Sequence, residues 1–555
     1  MNPSIRAVRP ALRPPVFNGM RPAQLPSQSK TTLRIGRLVV ALSLALGSNA
    51  GHAGNLPVTS CLDDFGAGTL RLVMFGAANG DIVDLSQLSC ADSKITLAHG
   101  AISSSASNLS VIGPGQHALT IDGAGLSRVL VNSALQDTFS ISGLTIANGH
   151  FHHLGGGTAL GGCIYGRYRV ALDHVTVDSC TIDGAVDADV VAGAGVAALG
   201  GPLSLTASTI SNCSAAQGTT IAGVGAFGYF GMSVVDSTIT GNTGTASAHA
   251  IGGCLATFHY ASQLQVTRST VTGCTLITNG GAGNYAKGGG IGAAGGLTVT
   301  SSVISGNTVT SSEAHGGGMF AAGNATFDGA SIHDNQSNEL PGGSAFGGGI
   351  DVGGIGQINY STIDHNHSRL GGGVNASASS LAIVNSTISS NTAILVCGGL
   401  YAKSTLSLLN STVAFNVGAL GGGGICPGTG AMSSQSSIVA KNTKNGGTAT
   451  DIDIGNNSIL VSGSYNLIPV RFGVTLPGDT LHDDPLLLPL ANNGGPTRTH
   501  ALDPTSPAID KGANPTNLVS DQRDVGFLRV FGAHADIGAF ESQPFDRIFA
   551  GDFEP

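Results

Sequence analysis

Tryptophan is absent from this 555-residue chain, and charged residues make up only 10% of it. The body of the chain contains no apolar run long enough for an ordinary membrane-spanning helix. Without the first 53 residues, 17 basic and 33 acidic side chains remain, a formal charge of 17 − 33 = −16. A surface with few charges and a net negative charge argues against nucleic-acid and anionic-membrane partners.

The first 53 residues differ in composition from the rest. They hold seven basic residues and no acidic one, followed by the apolar stretch LVVALSLALG and the small residues of SNAGHAG. A basic region, an apolar core and a small-residue cleavage site near Ala50 or Ala53 are typical of a signal peptide. We therefore predict a signal peptide at 1–53 and a secreted or cell-surface protein, with Met20 as an alternative start.

What the chain has in abundance is glycine, at 85 residues, and a short repeated phrase. In this phrase a β-branched residue stands three positions before Asn or Cys, and it recurs at spacings of 25 to 33 residues. Two or more glycines followed by an aliphatic residue keep the same spacing. A repeat of this length indicates a solenoid, propeller or array. The anchors are Val177, Ile210, Ile239, Val271, Ile304, Ile332, Ile363, Ile388, Val413 and Val439, preceded by Ile146 in a degenerate first copy that has Gly149 in the Asn position.

The pattern inside each repeat selects among these architectures. The stretch LTVTSSVISGN at 297–307 alternates apolar and small polar residues, which predicts β-strands rather than helices. Each copy offers about three strand-sized pieces, and strands that recur once per copy must run in parallel. We predict an all-β chain: a right-handed parallel β-helix of about 11–14 coils, with an N-terminal cap and first coils at 54–130 and the repeats at 131–470.

The repeated Asn has a structural interpretation. In parallel, in-register coils, equivalent residues stack about 4.8 Å apart, so their side-chain amides can hydrogen-bond to one another in a column. Cys180, Cys213 and Cys274 occupy the same position in other coils, and we interpret them as small buried replacements. The predicted ladder consists of Asn242, Asn307, Asn335, Asn366, Asn391, Asn416 and Asn442.

Export permits disulfides, although nine cysteines cannot all pair within one chain. Cys61 and Cys90 flank a non-repetitive segment that we expect to cap the first coil, and we predict a disulfide between them. No Cys or His spacing is typical of a zinc site. Two further candidate pairs are Cys254 with Cys274 and Cys397 with Cys426.

The C-terminal part carries a family resemblance. The pieces DP at 484–485, NGGPT at 493–497, SPAID at 506–510, DQR at 521–523 and DIGAFE at 536–541 occur in this order. Together they resemble the choice-of-anchor Q domain, found after β-helix repeats in bacterial surface proteins, with Asp524-Val525 as an insertion. The resemblance implies a surface or secreted bacterial protein with a small C-terminal domain at 480–541. Because a solenoid must cover the open strand edges of its terminal coils, we expect 61–85 to close one end and 484–541 to pack on the other. The tail at 542–555 has no LPxTG motif and no apolar anchor.

Two further resemblances lie in the repeats and before them. CLDDFGAGTLRLVMFGAANGDIVDL at 61–85 is similar to the leading segment of many such bacterial β-helix proteins. The paired glycine and asparagine phrases resemble those of polymorphic outer-membrane proteins, which implies adhesion. Here Ile or Val replaces the Phe of that family's motif, and no terminal barrel follows.

Many parallel β-helices degrade polysaccharides, and such chemistry needs clustered carboxylates. The polygalacturonase-like motifs NTD, GHG and RIK are missing from the repeats. The remaining catalytic candidates are His333, Asp364 and His365, which occupy neighbouring coils, and Asp351, which stands between them in sequence. These residues could orient a general base; the alternative is a pair of solvated surface side chains.

Metal sites are a further hypothesis. The stretch HFHH at 150–153 could bind a metal together with His174, or could consist of ordinary loop histidines. Calcium could be held by a group of acidic residues, which could equally be solvated. We predict no cofactor, with calcium as the alternative. The acidic group comprises Asp178, Asp183, Asp187 and Asp189.

One line of residues predicts a binding face. The position after the glycine-led aliphatic residue carries Phe320, Asp351, Asn375 and Tyr401 in successive coils. We expect these side chains to face outward and be exposed, where they could grip a glycan; ordinary surface variation is the alternative. The sequence therefore favours a monomeric β-helix protein for adhesion or for binding a polysaccharide, a cell-surface glycan or a neighbouring surface. A polysaccharide lyase or hydrolase and a structural spacer are the alternatives.

Overall fold

The β-branched and glycine phrases of the repeat build a solenoid. The computed structural model describes residues 53–377, 380–444 and 454–544, apart from the side chains of 185–188 and 456–458. Over these residues the chain forms a right-handed parallel β-helix of about thirteen turns with a single helix, which confirms the predicted fold class. The predicted signal peptide, except Ala53, and most of the tail at 542–555 lie outside the described residues.

Most turns from Thr181 onward contain four strands instead of the expected three. In one turn these are Thr308–His315, Met319–Ala321, Ala325–Asp328 and Ser331–His333. We name the four resulting columns of strands the post-asparagine, glycine-led, alternating and pre-asparagine stacks, in that order. The post-asparagine strand escaped prediction because its length varies from 2 to 12 residues and its sequence shares no phrase between turns.

The two stacks that meet at the glycines begin in different turns, the glycine-led stack at Ile102–Ser104 and the post-asparagine stack at His150–His153. The glycine-led strands are Ile102–Ser104, Leu130–Asn132, Ile164–Gly166, Val196–Ala198, Ala226–Gly228, Leu255–Thr257, Ile291–Ala293, Met319–Ala321, Ile350–Val352, Val374–Ala376, Leu400–Ala402 and Ile425–Pro427. The post-asparagine strands are His150–His153, Gly157–Leu160, Thr181–Ala192, Ser214–Ala222, Thr243–Ile251, Thr275–Thr278, Tyr285–Lys287, Thr308–His315, Gln336–Phe346, His367–Leu370, Thr392–Val396, Val417–Gly418 and Thr443–Lys444.

The other two stacks share the strands Thr138–Ala147 and Arg169–Asp178. The alternating strands are Asn55–Pro57, Ile82–Asp84, Ser110–Ile112, Leu203–Thr206, Met232–Val235, Gln263–Thr267, Gly296–Thr300, Ala325–Asp328, Gly356–Asn359, Leu381–Val384, Leu406–Leu409 and Met432–Gln435. The pre-asparagine strands are Lys94–Thr96, Thr120–Asp122, Thr209–Ser211, Thr238–Thr240, Thr270–Thr272, Val303–Ser305, Ser331–His333, Thr362–Asp364, Thr387–Ser389, Thr412–Ala414 and Ile438–Ala440.

The core lies inside the coil and is built from equivalent residues of successive turns. Ile239, Val271 and Ile304 stand in register on neighbouring strands, and all three are fully buried. Burying one such side chain contributes about 1.5–3 kcal/mol. Because the strands are short and every turn repeats the same inward position, the hydrophobic anchors of the sequence phrase become one continuous column.

The asparagine amides form a hydrogen-bonded column beside this core. Asn335 Nδ2 donates to Asn366 Oδ1 at 3.0 Å and to the carbonyl of Ile304 at 2.9 Å. Asn366 Oδ1 also accepts the backbone N–H of Asn335, at 3.0 Å. The same links connect Asn307, Asn335, Asn366, Asn391, Asn416 and Asn442.

Asn242 stands apart from the continuous ladder. Its neighbours in the column are Cys213 and Cys274, so its Oδ1 accepts the backbone N–H of Cys213 at 2.9 Å instead of an amide side chain. Its Nδ2 faces the sulfurs of Cys254 and Cys274, each at 3.7 Å.

The cysteines correct one interpretation. Cys180 and Cys274 are disulfide-bonded and are therefore more than small buried replacements for Asn; Cys213 is buried and unpaired. In both bonded coils, the partner cysteine comes directly before a glycine-led strand, so a covalent bond joins two corners of the same turn. The four disulfides are Cys61–Cys90, Cys163–Cys180, Cys254–Cys274 and Cys397–Cys426.

The N-terminal segment closes the first turn. Thr69 caps the helix Leu70–Gly76, and Leu70 and Met74 are buried in the solenoid core. Arg71 pairs with Asp63 at 2.7 Å and donates to backbone carbonyls of the 100–101 stretch. The helix thus covers apolar side chains that would otherwise meet solvent at the end of the coil.

The C-terminal segment, residues 484–541, takes a different place from the one expected. It was expected to cover the last turn, whereas its hydrogen bonds run along the flank formed by the pre-asparagine stack. The last turn is followed instead by Ile454–Ser462 and Arg471–Thr475, and an antiparallel pair, Leu487–Ala491 with Thr499–Leu502, lies within the segment. The contacts along the flank are Thr362 with Arg498, Thr387 with Gln522, Ser389 with His500, and Asn410 with Ala513.

A buried ionic cluster holds the C-terminal segment together. Arg523 pairs with Asp521 at 2.7 Å and lies between the rings of Phe527 and Phe540. Arg529 pairs with Glu541 at 3.1 Å, and both side chains are fully buried. Burial raises the pKa of Glu541 to about 8, which its pairing with Arg529 opposes.

The ladder gives a first testable prediction. Asn391→Ala removes two donated and two accepted hydrogen bonds from a dry column, so we expect a loss of about 1–3 kcal/mol in the free energy of unfolding. The control is Asn338→Ala, because no described residue hydrogen-bonds to the Asn338 amide and its side chain is partly exposed. Equal denaturant midpoints for the two variants would show that the ladder does not stabilise the fold.

The second prediction concerns pH. A carboxyl whose folded pKa of about 8 exceeds its ordinary value of 4.5 binds a proton in the folded state that the unfolded state releases. Its contribution to stability is therefore complete below about pH 4.5 and is lost as pH rises through 8. Relative to Glu541→Gln, the wild type should lose unfolding free energy between these values, as measured by chemical denaturation at a series of pH values. A wild type that gains stability relative to Glu541→Gln as pH rises would contradict the assigned direction of the pKa shift.

Candidate functional site

The turn between the post-asparagine and glycine-led strands creates a groove on the outside of the solenoid. At Gly316 the backbone has a φ of 63°, and a Cβ there would lie 2.0 Å from the carbonyl oxygen of Met319. Glycine favours this sharp corner, which tilts the two strand faces towards each other, although Cys397 adopts a φ of 66° at the equivalent position of a later coil. We call the space between them the corner groove. Its floor and walls are the last residues of the post-asparagine strands and the middle residues of the glycine-led strands.

The predicted line of residues is present in the corner groove. Phe320, Asp351, Asn375 and Tyr401 stand in register on four successive glycine-led strands. The expectation that all four are exposed is wrong: Asp351 retains 2% of its accessible surface and Asn375 retains 1%. Both point out of the solenoid but into the concave corner, where side chains of the post-asparagine strands cover them.

His315 links the two walls of the groove. Its Nδ1 lies 2.6 Å from Asp351 Oδ2, and its Nε2 lies 3.1 Å from Glu313 Oε1. Asn375 Nδ2 donates to the other oxygen of Asp351 at 2.7 Å, which leaves the buried Asn375 Oδ1 without a partner among the described residues. The ring of His315 stacks on Phe346, with 5.1 Å between centroids.

This arrangement favours a charged imidazole. Burial alone would lower the pKa of His315, but the hydrogen bonds to Asp351 and Glu313 raise it above its ordinary value. The hydrogen bond from His315 in turn lowers the pKa of Glu313. With a carboxylate at each ring nitrogen, both nitrogens act as donors, so His315 has no lone pair with which to accept a proton.

Lys287 comes from the preceding coil and occupies the position next to His315 in register. Its Nζ lies 4.6 Å from the ring centroid of Tyr285 and 4.8 Å from that of Phe320. Burial lowers the pKa of Lys287, and the charges of Asp351 and Glu313 oppose that effect. The groove therefore places an ammonium group between two aromatic faces.

Towards the N-terminus the corner groove becomes apolar. Phe227 packs there with Phe258 and Ile251 in a cluster outside the main core. Beside it, Phe230 and Tyr260 are exposed. The character of the groove thus changes along the solenoid axis from aromatic to charged within a few coils.

The candidate catalytic residues do not converge. His333 and Asp364 are in register on the pre-asparagine stack, but Asp351 belongs to the glycine-led stack and contacts His315 instead. Asp364 is buried under the C-terminal segment, where Arg498 Nη2 lies 2.5 Å and His365 Nδ1 2.6 Å from its carboxylate. These side chains therefore do not form the acid–base site for which they were candidates, because the coil turns Asp351 onto another face.

The side chains of the two hypothetical metal sites are also dispersed. His150 and His152 both contact the carboxylate of Asp183, at 2.5 and 2.7 Å, whereas His174 pairs with Asp173. Asp178 accepts hydrogen bonds from Ser179, Ser211 and Asn212. Asp189 is exposed, and the side chain of Asp187 lies outside the described residues. Within the described part of the chain, no group of three or more His, Cys, Asp or Glu side chains is arranged to hold a metal ion.

A separate cavity of about 650 Å³ lies in the C-terminal part of the chain, lined by residues including Tyr465, Asp510 and His534. Asp510 uses one carboxylate oxygen to accept the backbone N–H groups of residues 533 and 534. This carboxylate stabilises a loop, and the chemistry of the molecule concentrates in the corner groove instead.

Sequence reasoning missed Lys287, Glu313 and His315. The signal was present: Glu313 and His315 alternate at the end of a strand, so they share a face, and three glycines follow directly. Tyr285 and Lys287 repeat this alternation one coil earlier. In a chain with so few charges, two such pairs in neighbouring coils mark a site, but the unpredicted post-asparagine strand concealed their alignment with Asp351.

No protein-family model and no curated protein matches the chain. A crystal structure of the pectate lyase Pel9A is similar, with a TM-score of 0.27 and 11% sequence identity, over 89% of this chain and 98% of that one. In the described ranges, no helix is both long and apolar enough to cross a membrane.

The state of His315 can be tested directly. We expect both ring nitrogens to be protonated at pH 6.5, its ordinary pKa, because two carboxylates stabilise the cation. Asp351→Asn should lower this pKa, and ¹⁵N NMR of labelled histidine side chains reports it. The exposed His174 serves as the internal reference. A neutral His315 at pH 6.5 would overturn the assigned hydrogen bonds to two carboxylates. It would also make His315 a candidate general base.

Proposed function

We propose that the corner groove binds a glycan chain along the solenoid axis, and that the protein acts in adhesion or surface binding and not in catalysis. One observation carries the proposal: aromatic faces and charged groups that are partly open to solvent share one groove on successive coils. Glu313 keeps 38% of its side chain exposed, and Phe320, Tyr401 and Lys287 are partly exposed. Aromatic faces beside polar groups suit the mixed apolar and hydroxylated surface of a sugar.

The geometry supports an elongated ligand. Phe320 and Tyr401 are three coils apart, or about 14 Å at the spacing of neighbouring strands. Between them, Asp351 and Asn375 lie too deep to touch a ligand and instead hold His315 and one another in place. The ligand-facing groups of the predicted line are therefore Phe320 and Tyr401, and the two buried residues position the wall.

Catalysis of polysaccharide cleavage has less support. A lyase or hydrolase needs a group that accepts or donates a proton at the sugar. Both nitrogens of His315 are hydrogen-bonded to carboxylates, and Asp364 is covered by Arg498.

The proposal also includes secretion directed by the peptide at 1–53, a choice-of-anchor Q domain at 480–541, a monomeric state and the absence of calcium. Four disulfides among the described residues favour an oxidising compartment.

The test removes both ligand-facing rings. Phe320→Ala with Tyr401→Ala should weaken binding to glycans or cells about tenfold or more, since each ring provides stacking area. The thermal midpoint should change little because neither ring belongs to the solenoid core. Glycan-array and cell-attachment assays measure the effect.

The matched control is Phe472→Ala with Tyr465→Ala, an exposed Phe and Tyr outside the corner groove. If the control variant loses as much attachment as the groove variant, the contact face lies elsewhere. Release of unsaturated or reducing ends from a polysaccharide, abolished by Asp351→Asn, would replace the binding function with an enzymatic one.

A further inference from the structure

Lys287 is a basic side chain in the corner groove that no described residue pairs with. Elsewhere in the chain, Arg71, Lys94 and Arg268 each meet a carboxylate within 3.0 Å. Lys287 makes no hydrogen bond and no ion pair with the described residues; its neighbours are the rings of Tyr285 and Phe320. An ammonium that is partly removed from water without a hydrogen-bond acceptor is costly. The site therefore lacks an acceptor that a ligand could supply.

The nearby carboxylates do not fill that role. Glu313 and Asp351 are the acidic groups that act on Lys287, and each already accepts a hydrogen bond from His315. The imidazolium offsets part of their charge and holds Asp351 on the glycine-led wall, opposite Lys287, while Glu313 lies on the same wall as Lys287. The N–H donors of Lys287 are consequently free for a group that enters from solvent between the two rings.

We propose that the corner groove recognises an acidic glycan, with Lys287 binding the carboxylate of a uronic acid whose ring packs against Phe320. This inference rests on the proposed glycan binding and specifies its ligand class. A monovalent carboxylate suits the site better than a phosphate or sulfate ester bound by several cations, since Lys287 is a single point charge. Glu313 and Asp351 would also repel a more highly charged group.

The experiment compares ligands that differ only in charge. Polygalacturonate, alginate and hyaluronan are each paired with their carboxyl-reduced counterparts, and binding to the full protein is measured by calorimetry at two salt concentrations. We expect at least one acidic polymer to bind about tenfold or more tightly than its reduced form, because a charge-assisted contact is lost on reduction. Added salt should weaken only the acidic member of the pair.

Three variants connect this preference to Lys287. Lys287→Met keeps the length of the stem and removes the charge, and it should abolish the difference between acidic and reduced polymers. Lys287→Arg should retain it, and Lys511→Met, at an exposed position in the C-terminal segment, should leave it unchanged. Thermal midpoints confirm that each variant is folded.

The outcomes separate the two proposals. Equal binding of acidic and reduced polymers by the wild type would overturn the acidic specificity and leave glycan binding intact. If the Lys287→Met variant keeps the preference for acidic polymers, the role of Lys287 in that preference is overturned. If no polymer in either form binds, the proposed glycan-binding function itself fails.

Discussion

In-register stacking of each coil on the next is the constraint on which the rest of this structure depends. Parallel strands bring identical positions about 4.8 Å apart, so every residue in a stack must tolerate a copy of itself above and below. Apolar β-branched residues satisfy this requirement in the core, and Asn satisfies it at the dry corner because its amide both donates and accepts. A column of like charges cannot meet the requirement because the charges repel one another. This repulsion accounts for the low charge content of the repeats.

The corner groove follows from the same constraint. Each turn must pass sharply from the post-asparagine strand to the glycine-led strand, and glycine at positions such as 316 and 347 allows it with positive φ angles. The sharp corner makes the outer surface concave, so outward side chains of two stacks meet each other. In the middle coils these side chains are Lys287, Glu313, His315 and Asp351, which is why chemistry-bearing groups concentrate on one face of a rod that is otherwise poor in charge.

The C-terminal segment solves a different problem. It carries fully buried Arg523, Arg529, Asp521 and Glu541, and these titratable groups are acceptable inside the protein only because they are paired and hydrogen-bonded. Through Gln522 and His500 it is tied to threonine and serine side chains on the pre-asparagine stack. It therefore covers the face that holds Asp364 and leaves the corner groove, on another side of the coil, open to solvent.

The sequence by itself determined the solenoid, its strand phrases and the hydrogen-bonding role of Asn391 and its equivalents, because short-range periodicity and a repeat of 25 to 33 residues are local properties. It also aligned Phe320, Asp351, Asn375 and Tyr401, since equal offsets from the glycines imply equal register. Only the tertiary structure decided that Asp351 and Asn375 are buried, that His315 reaches Asp351, and that residues 484–541 lie on the flank. These outcomes depend on the angle between strand faces and on contacts between residues far apart in the chain, such as the 134 positions from Asp364 to Arg498, which no local pattern records.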